Sequence, residues 1–321
     1  MVATISPDNL RVVLSMLDDI VLTRYLAGVA LTLVVYDSII LIQTEYQTIW
    51  KSQWTFPKML YYFIRALTIP TLAVAAYDML DFKAPVSNRF CQIWLPLISV
   101  PMLLSLAASN WLFTLRLIAL YKQQRVLVWF MRTFYALTYT VDFIFLIVTL
   151  VTYDKLGVYY NPASKTCYTS MTIPYSGPIF FVPLVYEVLI FTLTVYRAHK
   201  DAIIRNKSST QLLIVLYRDN ALAFFIMLAL RSWNIWIYAT QPVSSLHIAT
   251  NIYWAVNTVL TTRIYLNIVW FAHASLAATN PAVGTELSSI SSKPPRGVSG
   301  IQVGSRNSQP QRLTFQYQKY P

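Results

Sequence analysis

Long apolar runs separated by short polar connections set the pattern of this chain. Seven runs approach the roughly 20 residues that a helix needs to cross a hydrocarbon core of about 30 Å, where only a helix or a closed barrel satisfies its own backbone. They are Tyr25–Thr44, Pro57–Tyr77, Gln92–Leu115, Leu127–Val151, Ile179–Ala198, Ile214–Tyr238 and His247–Trp270. The seventh is the least apolar, because it carries Asn251, Asn257, Arg263 and Asn267, so six spans is the competing count. Before the first run, Leu10 to Leu22 is similar to the apolar part of a secretory signal. Asp18 and Asp19 interrupt it, and no small-residue cleavage site follows. That stretch reads as an interfacial helix. The predicted fold is all-α, an integral membrane bundle of seven transmembrane helices. An extracellular segment (1–24) precedes the helical domain (25–275), and a tail (276–321) follows it.

Composition agrees with this reading. Of the 321 residues, 56% are hydrophobic and 12% charged, and the mean hydropathy is +0.49, more apolar content than a water-soluble globule can hide. Seven glycines and two cysteines exclude collagen-like repeats, disulfide-framework domains and Cys-rich zinc modules.

The net charge of +12 is read as topology. Lys51, Lys58, Arg116, Lys122, Arg125, Arg132, Arg197, Lys200, Arg205, Lys207 and Arg218 flank the connections after spans one, three and five. Arg11, Arg24, Lys83, Arg89, Lys155 and Lys165 lie on the other side. The bias places the amino terminus outside and the carboxyl terminus in the cytosol. Attraction of the basic face to anionic lipid then accounts for the charge without nucleic acid. Trp50, Trp54, Trp94, Trp129, Trp236 and Trp270 fall near span ends, as interfacial anchors do.

Cys91, at the mouth of span three, and Cys167, in the long connection after span four, both fall on the predicted outer side. An oxidising compartment and an even count favour a disulfide over two free thiols. Such a bridge is a feature of receptor-type seven-helix bundles and favours that architecture by analogy. The sole permitted glycosylation sequon, Asn206-Lys207-Ser208, falls on the predicted cytosolic side and is expected to stay unmodified.

Charges inside a span are costly and normally find protein or water partners. Asp37, Arg65 and Arg263 each lie seven residues from the inner end of spans one, two and seven, so an ion pair of Asp37 with one or both arginines is expected. It is either a static clamp or a moving switch. Asp142, Glu187 and Arg231 lie nearer the outside, with Asn234 and Tyr253 close by. They are the candidate ligand-binding residues of an outward-facing polar cavity, interhelical packing being the alternative. Pro70, Pro101 and Pro183 permit kinks, and Gly28 is the only glycine within a span.

Familiar enzyme chemistry lacks its parts. His199, His247 and His273 are scattered, and HExxH, GxSxG and the phosphate-binding GxxxxGK[ST] are absent. No catalytic residue, metal ligand set or cofactor is expected. With no lysine between Lys207 and Lys293, span seven cannot form a retinal Schiff base. The tail carries Lys293-Pro294-Pro295-Arg296 and seven serines between Ser288 and Ser308, a composition that predicts disorder and offers phosphorylation sites.

The stretch Tyr25 to Pro70, with Tyr36-Asp37, Thr44-Glu45, Ile49-Trp50-Lys51, Trp54 and Arg65 in order, resembles fungal multi-pass membrane proteins. These are defined by an amino-terminal domain of unknown function, family 6533. The later run Leu115 to Leu127 is similar to what they carry after their third helix. The departure at Arg65-Ala66, where members often have Arg-Tyr, weakens any special role for the second position. The resemblance implies a multi-span protein and no substrate. The leading expectation is a receptor-like or sensor-like protein without enzyme activity. Its expected partners are the bilayer, a small external ligand and a cytosolic protein at the basic loops and tail. A transporter or channel is the alternative.

Overall fold

The computed structural model describes residues 7–50, 52–80, 86–121, 124–156, 158–162, 165–169, 177–204, 210–241, 245 and 247–279. The sequon at Asn206, Lys51 and the tail from residue 280 lie outside the described residues. The chain divides into two units, Met1–Ser275 and Leu276–Pro321. Of the second, only the helical residues up to Thr279 are described.

Eight α-helices are described: α1 (Pro7–Glu45), α2 (Phe56–Met79), α3 (Asn88–Leu97), α4 (Ser99–Leu120), α5 (Arg125–Leu156), α6 (Pro178–Ile204), α7 (Thr210–Thr240) and α8 (Thr250–Thr279). A π-helical turn, Tyr46–Trp50, ends α1. Between α5 and α6 lies an antiparallel hairpin, β1 (Val158–Asn161) and β2 (Thr166–Thr169), in which Tyr160 faces Cys167. Lys165 enters β2 with φ of 52°.

Leu10–Leu22, expected as an interfacial helix, is helical and runs without a break into the rest of α1. No proline or glycine lies between Pro7 and Gly28, and two aspartates lower helix propensity too little to end it. At 39 residues α1 is about 58 Å long, well beyond the thickness of a hydrocarbon core. Its near end is tied down where the Ser245 hydroxyl donates to Asp19 Oδ2 at 2.5 Å. Of the three prolines expected to permit kinks, Pro70 and Pro183 lie within unbroken helices. The break falls at Ile98, between α3 and α4. Pro96 and Pro101 flank it, and Pro101 lacks the amide hydrogen that would carry the ladder back across it to the Leu97 carbonyl.

The polarity of the bundle is inverted relative to a soluble protein. Along α1, Ala27, Ala30, Val34, Asp37 and Leu41 recur three and four residues apart and are buried, whereas Val29, Ile39 and Ile42 are exposed. Ile39 is 65% exposed and Asp37 only 2%. Large exposed apolar side chains around a core that holds carboxylates and guanidiniums suit lipid as the surrounding medium. Gly28 faces outward with nothing within 4 Å of where a Cβ would stand, so it serves no close helix crossing.

Among the described residues six helical stretches are long and apolar enough to cross a membrane: Leu14–Trp50, Phe56–Met79, Asn88–Leu120, Arg125–Thr152, Pro178–Lys200 and Ala221–Thr240. They define a multi-pass integral membrane protein. Helix α8 has the length, 30 residues, but falls outside this set on composition. Its position explains why it can be polar. Tyr253, Trp254, Ala255 and Val259 pack in one core with Ala30 of α1, Leu72 of α2, Met102 and Leu106 of α4, and Phe180 of α6. Most sides of its middle turns meet protein, so Asn251, Asn257, Thr258, Thr261 and Thr262 are shielded from lipid, whereas Asn267 is exposed.

Candidate functional site

Two charged networks lie within the bundle, near opposite ends. The first is remote from the hairpin. Arg263 Nε of α8 donates to Asp37 Oδ1 of α1 at 2.6 Å. Arg65 of α2 reaches Asp37 Oδ2 at 3.9 Å, but its closer partner is Glu45, at the last turn of α1. Tyr61, one turn before Arg65 on the same face of α2, donates from its hydroxyl to Glu45 Oε1 at 2.6 Å. Two carboxylates therefore face two guanidiniums. Lys58, also buried, donates at 2.8 Å to the carbonyls of Ile49 and Ser52 and closes off the π turn.

The second network lies nearer the hairpin. Arg231 of α7 grips Glu187 of α6 with two bonds, Nε to Oε2 at 2.8 Å and an NH2 nitrogen to Oε1 at 2.7 Å. The same guanidinium donates to the Tyr253 hydroxyl of α8 and, at 3.2 Å, to the Phe180 carbonyl. Asn110 of α4 donates to Glu187 Oε1 at 2.9 Å and to the Tyr139 hydroxyl of α5 at 2.6 Å. Tyr135, Tyr139 and Tyr186 pack around this hub in tilted and edge-to-face contacts, and the Tyr186 hydroxyl pairs with Thr114 at 2.6 Å.

Of the five residues expected at this end, Glu187, Arg231 and Tyr253 meet directly. Asn234 is bonded elsewhere: its amide donates to the Ala249 carbonyl at 3.4 Å and its oxygen accepts from the Thr250 hydroxyl at 3.1 Å, joining α7 to the start of α8. Asp142 of α5 is 0% exposed, and neither carboxylate oxygen meets a hydrogen-bond donor. The charged groups acting on it are Arg231 and Glu187. Where an outward-facing cavity was expected, these five side chains are buried.

Small polar groups of α8 bond separately to α4 and α2. Trp254 Nε1 donates to Ser105 Oγ at 2.6 Å, Asn257 to Ser109 Oγ at 3.2 Å, and the Thr258 and Thr68 hydroxyls pair at 3.1 Å. These contacts align one face of α8 with α4 and α2.

The hairpin end is covered by a second arrangement. Cys91 of α3 and Cys167 of β2 form a disulfide with Cα atoms 5.3 Å apart. Around it pack Leu95, Val158, Phe90 and Tyr160, and the Tyr160 amide donates to Asn88 Oδ1 at 2.9 Å. The connection expected as a long loop is thus a hairpin pinned to α3. Beside it His247, between α7 and α8, is held below its ordinary pKa by burial, while the Asp78 carboxylate acts in the opposite sense.

Sequence reasoning missed Glu45, Asn110 and Tyr61 as site residues. Tyr61 and Arg65 stand four apart on one helix face, and Asn110 is the one side-chain amide of α4. Either signal marks a buried polar partner, though neither says which carboxylate it meets.

Residues 25–70 match a family of unknown function (DUF6533). The matched segment covers α1 from Tyr25, the π turn and α2 as far as Pro70. It contains Asp37, Glu45, Tyr61 and Arg65, every member of the first network except Arg263. No curated protein matches the chain.

Proposed function

We propose that the chain is a seven-span membrane protein, with α8 as the seventh span, the hairpin end outside and the carboxyl terminus in the cytosol. On this reading it is a receptor-like or sensor-like protein. The observation that carries the reading is the Glu187–Arg231 pair. Through Asn110, Tyr139 and Tyr253 it joins α4, α5 and α8 to α6 and α7 at one point near the outer face. An external stimulus that alters this hub alters five helices together, including α8, whose far part holds the Asp37 network. The basic connections and the tail on the cytosolic side are then where a signalling partner docks, and no enzymatic step is assigned.

A transporter is the second reading. It is favoured by the line of Ser105, Ser109, Asn257, Thr258 and Thr68 between the two charged networks, which offers polar groups through the middle of the bundle. A thermal-stability screen of external compounds on the purified protein, paired with a flux assay in vesicles, separates the two. A stabilising external ligand without flux supports sensing, and solute flux without such a ligand reverses the ranking. Termini tagged and labelled in intact cells test the odd span count, which requires them in different compartments.

A further inference from the structure

The two charged networks differ in their balance of charge. The one around Asp37 and Glu45 has a guanidinium for each carboxylate. The one around Arg231 has two carboxylates, Glu187 and Asp142, facing a single guanidinium, and only Glu187 is bonded to it. The other titratable groups around Asp142 are phenols. Tyr253 of α8 feels its charge directly, and Tyr139 lies one turn back on its own helix. From α4 comes only the uncharged Asn110. Burying an ion costs several kcal/mol unless it is paired and hydrogen-bonded. Asp142 has full burial and no donor.

We propose that the Asp142–Glu187–Arg231 cluster is a binding site for one monovalent cation, a proton or a sodium-sized ion, that supplies the missing positive charge. The inference rests on the reading of this cluster as the sensing site and names the class of stimulus it answers. Occupancy decides which acid holds Arg231. With the charge on Asp142 neutralised, Arg231 stays on Glu187, Tyr253 and the Phe180 carbonyl. With the cation gone, Asp142 of α5 competes with Glu187 of α6 for the same guanidinium. When Asp142 wins that competition, Arg231 leaves Glu187 and its contact to Tyr253 of α8 is displaced.

The test uses the full-length protein, purified and free of added organic ligand. Melting temperature is measured against NaCl replaced by choline chloride at constant ionic strength, and separately against pH. Infrared difference spectroscopy reports whether a protonated carboxylic acid is present. The wild type is expected to respond in one arm. A sodium response identifies the ion, whereas a carboxylic-acid band lost in Asp142→Asn identifies the proton. Asp142→Asn should abolish the sodium response or the carboxylic-acid band, whereas the pH dependence that belongs to His247 should persist.

Glu187→Gln should abolish it as well, because Asp142 then has Arg231 to itself. This second variant keeps the test decisive if the first does not fold. A wild type with neither a sodium response nor a carboxylic-acid band, or variants that retain either one in full, would overturn the proposal. The readout needs no external organic ligand, so failure here is distinct from a negative compound screen, which bears on the sensing reading alone.

Discussion

Arg263 and Asp37 stand 226 positions apart in the chain, yet the guanidinium Nε of one lies 2.6 Å from the carboxylate of the other. The contact ties the polar helix α8 to α1, and the two partners are not equivalent. Asp37 has a side chain only 3% exposed, while that of Arg263 is 52% exposed. Asp37 also lies within reach of Arg65, so it balances charge for two helices.

Asymmetric burial leads to asymmetric mutational costs. Asp37→Ala removes the acid that Arg263 and Arg65 share and is expected to lower stability by about 3–5 kcal/mol. Arg263→Ala should cost less, since Arg65 remains within reach of Asp37 and no buried charge is left without a counterpart. Thermal unfolding of the two purified variants and of the double variant measures both costs and their coupling. Equal losses would contradict the picture.

At the other network the pair must be changed together. Arg231→Ala leaves Glu187 buried without its guanidinium and should destabilise by about 3–5 kcal/mol, so by itself it cannot separate ligand response from folding. Arg231→Met combined with Glu187→Leu should recover most of that loss, because apolar groups of similar volume need no partner. Denaturation in detergent distinguishes recovery from simple addition of two losses.

The Cys91–Cys167 bridge encloses 76 positions of sequence. In the chain-entropy account, a closed loop of that length corresponds to an upper value of about 4.5 kcal/mol. Replacing both cysteines by serine should lower the melting temperature and raise protease sensitivity first at the hairpin, whose remaining anchors are a small apolar cluster and the Asn88 contact. Limited proteolysis followed by mass mapping locates the first cut. A cut elsewhere in the chain would place the weakest segment away from the hairpin.

His247 supplies a pH dependence of defined sign. Burial holds its folded pKa below the ordinary histidine value, the Asp78 carboxylate opposing, so the neutral ring is favoured in the folded state. Its contribution to stability is present above the unfolded value of about 6.5 and is lost as pH falls toward the folded pKa, because the unfolded chain then binds the extra proton. His247→Gln should flatten this limb in a plot of melting temperature against pH. An unchanged slope below about pH 6.5 would assign the dependence to other groups.

Hydropathy alone marked the six strongly apolar spans and placed Asp37, Arg65, Arg263, Asp142, Glu187 and Arg231 within long helices, because lipid makes uninterrupted apolar length a physical requirement. The even cysteine count and the positions of Cys91 and Cys167 made their bridge legible too. Pairing within the networks was not legible. Arg65 had two carboxylates on the preceding helix to choose between, and only the packing of α2 against α1 brings Glu45 nearer than Asp37. Asn234 and Asp142 have the same residue types and depth as the groups that meet, yet rotation about the helix axis, which residue counting fixes poorly, turns Asn234 toward the Ala249 carbonyl and leaves Asp142 without a donor.

The sequence by itself determined that the chain lives in lipid, since no arrangement of so many apolar residues could bury them all from water. It could not say whether α8, with its asparagines and Arg263, is a helix of the same bundle. Tertiary structure decided that by surrounding the middle turns of α8 with α1, α2, α4 and α6. A helix enclosed by protein is free to be polar because its hydrogen-bond partners come from its neighbours, and hydropathy, which compares each residue with lipid, does not register them.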